Sequence, residues 1–193
     1  MNCAECEDKA CRQGKVCHTF TDELRAKYQR KEVKRTMHAA AEIEASYYMK
    51  ATRLEELIHF AEAMGFKRLG IAFCIGLSEE ASILEKILKQ NFEVSSVCCK
   101  VCAVDKGDFG LAKMRKDGFQ AMCNPIAQAT VLEEADTQLN IIVGLCMGHD
   151  ITFSLHSHAP VTTLVVKDRV LGHNPVAALY SRYYKGTKFG LKT

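Results

Sequence analysis

Four short apolar runs recur along the chain, and segments with helical spacing separate them. The runs are residues 68–75, 92–99, 139–145 and 161–166. Strands of a parallel sheet are buried on both faces, so they read as continuous apolar runs rather than as alternating ones. Runs of this length that alternate with helices indicate βαβ units. The pattern predicts an α/β fold of Rossmann-like, three-layer type, in which helices sandwich a mainly parallel sheet.

Helical spacing also precedes the first apolar run, over residues 36–65. Thr52 and Glu55 have the spacing of a capping box, and Gly65 is a typical helix-ending residue. We expect this helical lead-in to belong to an α/β domain that spans residues 21–193. Residues 1–20 contain few aliphatic side chains and four cysteines, so we expect them to form a separate cysteine knuckle.

Composition and charge exclude several classes of protein. The balance of 26 Lys and Arg against 23 Asp and Glu is too even to indicate nucleic-acid binding. No apolar run reaches the roughly 18–20 residues of a membrane span, and the first residues lack the apolar segment of a signal peptide. We therefore expect a cytoplasmic protein that binds neither nucleic acid nor membrane.

Ten cysteines are an unusual number for a cytoplasmic chain of 193 residues. In a reducing compartment such a number indicates metal, cluster or redox chemistry rather than a disulfide framework. Four of them lie within 15 residues, and we call these the N-terminal cysteines: Cys3, Cys6, Cys11 and Cys17. Four thiolates can surround one tetrahedral ion or one cubane cluster, so they predict a metal site. Their spacing does not distinguish an iron–sulfur cluster of the 4Fe-4S type from zinc.

A second group of cysteines follows the predicted strands at a regular interval. We call them the carboxyl-edge cysteines: Cys74, Cys99, Cys123 and Cys146, separated by 25, 24 and 23 residues. This interval is about one strand and one helix for each cysteine. The carboxyl ends of parallel strands lie along one edge of a sheet, where such folds bind their ligands. We predict that these cysteines converge there, as a second metal or cluster centre or as a reactive thiol pocket.

Two similar segments single out individual residues at that edge. Cys123-Asn124-Pro125 parallels His173-Asn174-Pro175, and each is predicted to open a helix. A helix N-terminus favours an anion and lowers the pKa of a thiol, so Cys123 is the best candidate for a reactive thiolate. His173 is then a candidate metal ligand, proton donor or anion contact. His149 lies three residues after Cys146 and is a further candidate acid or base.

The run at 161–166 is followed by Lys167, Asp168 and Arg169. The residue types fit an anion-binding corner at the same edge of the sheet, and they equally fit a solvated turn. The sequence leaves both interpretations open.

Several longer blocks carry a family resemblance: TRLEELIHFAEAMGFKRLGIAFCIGLSEEA, SVCCK, CNPIAQA, IIVGLCMGHD and APVTTLVVKDRVLGHNPVAALYS. With the leading cysteines they resemble the cysteine-rich "domain of unknown function 1847" family of anaerobic bacteria and archaea. Proteins of this family are usually labelled metal-binding, so the resemblance implies a metal at the N-terminal cysteines. It also fits a reducing, anaerobic cytoplasm. It implies no substrate.

Three functions follow as expectations. The first is a cytoplasmic metal- or iron–sulfur-binding protein with a redox or electron-transfer role in anaerobic metabolism. The second is a zinc-stabilised protein that binds or carries a metal or a sulfur species. The third is a thiol-dependent enzyme that uses Cys123 or Cys146 as its nucleophile. The sequence specifies neither the redox partner protein or small-molecule substrate nor the oligomeric state.

Overall fold

The structure is a computed structural model that describes residues 1–191. The chain forms two compact units, Met1–Tyr48 and Met49–Thr193. This boundary differs from the predicted one after residue 20. The first unit contains, besides the cysteine knuckle, two helices: α1 (Asp22–Gln29) and α2 (Lys31–Tyr47).

The first unit has very little apolar core. Its cysteine knuckle contains only single turns of 3₁₀ helix, at Cys3–Glu5 and Ala10–Gln13. Helix α1 begins at Thr21, whose Oγ1 accepts a hydrogen bond from the Leu24 N–H at 3.3 Å. Among the residues of this unit, Ala39 alone is buried. Burial of apolar surface therefore contributes little to the stability of the first unit.

The second unit is built on a parallel sheet. Within residues 1–191 the strands form one four-stranded sheet in the order β2-β1-β3-β4, and every neighbouring pair is parallel. The strands are β1 (Arg68–Phe73), β2 (Glu93–Cys98), β3 (Leu139–Val143) and β4 (Val161–Val165). Each predicted apolar run contains one of these strands, so the predicted α/β class is confirmed.

Helices cover both faces of the sheet. The helices of the second unit are α3 (Arg53–Ala63), α4 (Ser78–Leu88), α5 (Pro125–Glu134), α6 (His149–His156) and the single turn α7 (Ala177–Tyr180). On one face Ile71 and Ile141 pack with α3 and α4, and on the other Ala72 and Ile142 pack with α5 and α6. Because successive strand residues point to opposite faces, this alternation produces the three layers.

The capping box predicted at the start of α3 is present. The Thr52 side chain accepts a hydrogen bond from the Glu55 N–H, and the Glu55 carboxylate accepts one from the Thr52 N–H at 2.7 Å.

No helix within residues 1–191 combines the length and the apolar character needed to cross a membrane.

The strand order creates a crevice between β1 and β3. The chain leaves β1 toward β2 on one side, while β3 lies on the other side of β1. The loops that follow β1 and β3 therefore separate at their starts. In open α/β sheets this switch point is where ligands bind.

Candidate functional site

The structure brings the carboxyl-edge cysteines to the edge where the four strands end. Cys74 follows β1 directly, Cys99 follows β2 directly, and Cys146 lies in the loop between β3 and α6. Cys123 directly precedes Asn124, the N-cap of α5, and the Asn124 N–H donates to the Cys99 carbonyl at 2.8 Å. Cys74 and Cys99 are buried, whereas Cys123 and Cys146 are half-buried. Cys123 and Cys146 are thus the two of this group with partial access to solvent.

Cys99 and Cys123 act on each other electrostatically. The neighbouring Cys99 thiol is the main reason that the pKa of Cys123 falls to about 5. The neighbouring Cys123, together with burial, raises the pKa of Cys99. The thiolate is therefore favoured at Cys123, while Cys99, which is only 2% exposed, is favoured as the thiol.

Lys100 supplies a cation to the same thiolate. Its Nζ lies 3.3 Å from the Cys123 sulfur and donates to the Ala121 carbonyl at 2.7 Å. After Cys99, the hydrogen bond and charge of Lys100 are the next influences that lower the pKa of Cys123. Because Cys99 and Lys100 are adjacent, the turn after β2 supplies both the neighbouring thiol and the ammonium group.

Helix α5 begins as the sequence predicts. The Asn124 Oδ1 accepts a hydrogen bond from the Ala127 N–H at 3.1 Å, and Pro125 occupies the first turn. The unpaired N–H groups of the first turn and the helix dipole favour negative charge on the preceding residue. Cys123 is in that position.

Gln128 holds α5 against the sheet directly below this site. Its side chain is fully buried, and Nε2 donates to the carbonyls of Val97 at 2.8 Å and Phe73 at 3.2 Å. These carbonyls lie at the ends of β2 and β1: Val97 is two residues before Cys99, and Phe73 directly precedes Cys74. Among the described residues the Gln128 Oε1 has no hydrogen-bond partner. Gln128 therefore fixes the distance between the helix that follows Cys123 and the strand that precedes Cys99.

Cys146 has its own cation. The Arg169 Nη2 donates to the Cys146 sulfur at 3.0 Å, and this bond is the main reason that the pKa of Arg169 is raised. The charges of Cys146, Cys74 and Cys123 add to the effect, so the guanidinium group lies within electrostatic reach of all three sulfurs.

His149 stands at the start of α6, where its N–H donates to the Cys146 carbonyl at 2.9 Å. Its charge acts on Cys123 and lowers the pKa of that thiol, though less than Cys99 and Lys100 do. The structure thus places His149 beside the Cys123 site, and its role as acid or base stays a prediction.

His173 closes a tight loop after β4. Its Nδ1 accepts a hydrogen bond from the Asp168 N–H at 3.1 Å, and its own N–H donates to the Asp168 carbonyl at 2.8 Å. The backbone of His173 is left-handed, with φ of 62°, which is uncommon for a residue with a side chain. Since Nδ1 accepts, the ring proton lies on Nε2. His173 thereby fixes the loop that carries Arg169.

The predicted helix start at Asn174 is wrong. Helix α7 begins at Ala177 and has no side-chain cap, whereas the corresponding Asn124 caps α5. The closed loop between Asp168 and His173 and the left-handed backbone at Gly172 and His173 set the chain direction instead. His173 therefore does not have the helix N-terminus that made it similar to Cys123.

The N-terminal cysteines make local contacts. The Cys6 sulfur donates to the Asp8 carboxylate at 3.2 Å, while Cys11 and Cys17 each point to the carbonyl two residues earlier. Throughout residues 1–191 no three His, Cys, Asp or Glu side chains are grouped as one metal ion requires. Metal at the N-terminal cysteines and a second centre at the carboxyl edge both stay predictions.

Two residues of the site had no role in the sequence analysis, Lys100 and Gln128. Lys100 follows Cys99 at the end of the predicted apolar run 92–99, and a charged residue directly after an apolar run is common. Gln128 is a polar residue at an inward position of an otherwise apolar helix segment, PIAQATVL. Buried polar groups require hydrogen-bond partners. An amide on an apolar helix face therefore could have indicated that Gln128 bonds to the sheet.

The fold and the edge together define an α/β protein with a thiol pair flanked by cations at the carboxyl end of a parallel sheet. The family described as "Protein of unknown function (DUF1847)" matches residues 11–164. The chain belongs to this family, which confirms the resemblance seen in the sequence.

An uncharacterized protein of Methanocaldococcus jannaschii is 54% identical over 185 residues, covering 95% of this chain and 96% of its own length. No solved structure matches the chain. The family match includes all carboxyl-edge cysteines but begins at Cys11, after Cys3 and Cys6.

Proposed function

We propose that the protein is a thiol–disulfide redox protein in which Cys123 is the attacking thiolate and Cys99 is the resolving thiol. One observation carries this proposal: the half-buried Cys123 sulfur lies 3.3 Å from the Lys100 ammonium group, in the same turn as the buried Cys99 thiol that lowers the pKa of Cys123. The proposal develops the expected redox role and the expected thiol-dependent chemistry together. It does not depend on a metal.

The first step needs an accessible thiolate. Cys123 attacks one sulfur of an external disulfide, so a bond forms between Cys123 and that sulfur while the external disulfide bond breaks. The other sulfur leaves as a thiolate and takes the electron pair of the broken bond. Lys100 and the start of α5 favour the thiolate form of Cys123 before the attack.

In the second step Cys99 must become a thiolate after Cys123 has formed the mixed disulfide. Once Cys123 is in a mixed disulfide, its negative charge and its acceptor role are lost, and these are what raise the pKa of Cys99. Cys99 then releases its proton to solvent and attacks the Cys123 sulfur. The Ile75 N–H, 3.4 Å from the Cys99 sulfur, favours the thiolate of Cys99.

The two steps together balance. A bond forms between Cys99 and Cys123, the mixed disulfide breaks, and the second external sulfur leaves as a thiolate. The protein dithiol loses two electrons and two protons, and the external disulfide becomes two thiols. The reverse sequence, with an external dithiol as reductant, restores the starting state.

This chemistry fits a protein of a reducing cytoplasm. The half-buried Cys123 and Cys146 each contact a cation. Thiols in such surroundings stay reduced only where the cell keeps a reducing poise. The redox partner is then a small disulfide or a partner protein.

Trapping of the mixed disulfide tests the proposal. Reduced protein is treated with bis(hydroxyethyl) disulfide, quenched with acid and mapped by peptide mass spectrometry. In the wild type we expect a Cys99–Cys123 disulfide, and in Cys99→Ser a stable adduct on Cys123. Cys98→Ser is the matched control, because Cys98 neighbours Cys99 and its substitution leaves the pair intact. A wild-type protein that accumulates an adduct on Cys123 without forming the Cys99–Cys123 bond would contradict the proposal.

A metal in the cysteine knuckle is a second proposal. Four cysteines within 15 residues supply ligands, and the near absence of buried side chains in the first unit supports a need for another source of stability. Structural metal sites supply folding free energy to small segments that lack a core. The test is the metal content of Cys6→Ser and Cys11→Ser, given below.

A further inference from the structure

Lys167 crosses the switch point between β1 and β3. A Cβ atom added at Gly144, which follows β3, would lie 3.5 Å from the Lys167 Cδ. One added at Gly76, in the loop after β1, would lie 3.3 Å from the Lys167 Nζ. The side chain of Lys167 therefore runs along the crevice from the end of β3 to the loop after β1. The absence of a side chain at Gly76 leaves room for the ammonium group, whereas at Gly144 the close neighbour of an added Cβ would be Leu77.

The ammonium group of Lys167 is unpaired. Within residues 1–191 it forms neither a hydrogen bond nor an ion pair, although the residue is half-buried. Asp168, the adjacent carboxylate, is directed into its own loop, where Oδ1 accepts from the N–H groups of Val170 at 2.9 Å and Leu171 at 2.8 Å. The Lys167 ammonium group is therefore available to an external anion.

Lys167 is connected to the thiol pair through the loop after β1. Its Nζ lies over Gly76, and the neighbouring residue Ile75 donates its N–H to the Cys99 sulfur. Arg169, two residues further along, contacts Cys146 and lies within electrostatic reach of Cys123. Together with Lys100, two more cations thus border the crevice that leads to the Cys99–Cys123 pair.

We infer that the disulfide reduced by this protein is a small molecule that carries a carboxylate, and that Lys167 and Arg169 bind that carboxylate while Cys123 attacks the sulfur. This inference rests on the proposed function. The unpaired Lys167 ammonium group neutralises the carboxylate, and the crevice between β1 and β3 holds the small molecule. The electron and proton balance is that of the two steps given above, with the carboxylate unchanged.

A series of disulfides that differ in charge tests the inference. The probes are dithiodiglycolate, bis(hydroxyethyl) disulfide and cystamine, which are anionic, neutral and cationic. The rate at which the Cys123 thiol is consumed, as adduct and as Cys99–Cys123 disulfide together, is measured for each by acid quench and peptide mapping. Every rate is divided by the rate of the same probe with mercaptoethanol, which removes the intrinsic reactivity of the probe.

We expect the normalised rate to be about tenfold higher for the anionic than for the neutral probe and lowest for the cationic one, as an interaction of this kind allows. Lys167→Gln should lower the anionic-to-neutral ratio toward one, and Arg169→Gln should lower it independently. Lys86→Gln is the control, since Lys86 is exposed in the last turn of α4, at the opposite edge of the sheet. Added salt should reduce the wild-type ratio.

The two proposals fail in different ways. If the neutral probe forms neither an adduct on Cys123 nor a Cys99–Cys123 disulfide, the proposed redox function is wrong. If the neutral probe reacts but the three normalised rates are equal within twofold, the redox function stands and the inference is overturned. A high ratio that survives both Lys167→Gln and Arg169→Gln also overturns the assignment of these two residues.

Discussion

The pH dependence of Cys123 reactivity follows from its pKa of about 5, against 9.0 for an ordinary cysteine. At pH 7 about 99% of Cys123 is then thiolate, compared with about 1% for an ordinary cysteine, a gain of roughly 100-fold. The intrinsic nucleophilicity of a thiolate falls with its pKa, with a Brønsted coefficient of about 0.4–0.5. Over a shift of about four pKa units this loss is roughly 40–100-fold. The two effects nearly cancel, so the absolute rate at pH 7 is not diagnostic.

The shape of the pH profile is diagnostic. The assay is the second-order rate at which bis(hydroxyethyl) disulfide consumes the Cys123 thiol, as adduct and Cys99–Cys123 disulfide together, measured from about pH 4 to about pH 9. We expect the rate to rise through about pH 5 and to be flat from about pH 6 to about pH 8, because the thiolate is already fully formed. Mercaptoethanol, as the control, should gain about tenfold per pH unit over the same interval, because most of it is still protonated.

Two substitutions should move the profile in a fixed order. Cys99→Ala removes the thiol that contributes most to lowering the pKa of Cys123, and Lys100→Met removes the next contribution. Each raises the pKa of Cys123, so the midpoint moves to higher pH, further for Cys99→Ala than for Lys100→Met. A wild-type rate that still rises tenfold per unit between about pH 6 and about pH 8 would refute the reasoning, as would midpoints that neither substitution moves.

Two further predictions concern the fold and the cysteine knuckle. A Cβ at Gly70 in β1 would overlap the amide oxygen of the buried Asn140, so Gly70→Ala should lower the free energy of unfolding by about 1–3 kcal/mol in urea denaturation. Adding Asn140→Ala should reduce the cost of Gly70→Ala, and purely additive costs would contradict the contact. Cys6→Ser and Cys11→Ser should each remove close to one centre's worth of iron or zinc from anaerobically purified protein, measured with acid-labile sulfide, and unchanged content in both variants would exclude the site.

The strands could be predicted because their burial leaves a direct trace in composition. β3, with the sequence LNIIV, is buried along its whole length, and only a strand covered on both faces has that pattern. The same reasoning placed the cysteines at the ends of strands. It could not pair Cys99 with Cys123, because their contact depends on how the segment 100–122 returns to the sheet.

Predictions from local sequence patterns failed where contacts between distant residues determine the structure. Asn124 and Asn174 precede proline in the same way, yet only Asn124 caps a helix, because His173 and Asp168 close the second loop. Lys100 has no local pattern that marks it, since its partner Cys123 is 23 residues away. A residue that acts through a distant partner leaves little trace in its own neighbourhood.

The central strand pairing also affects how the chain reaches its native state. The register of β1 and β3 places Leu69 beside Leu139, so these hydrogen bonds form only after a long stretch of chain has been brought together. Pairings of such high sequence separation slow folding. Until they form, Cys74 and Cys99, which are buried in the native protein, are open to oxidants. The fold therefore protects these two thiols only once it is complete, and a reductant matters most while the polypeptide is still being synthesised or refolded.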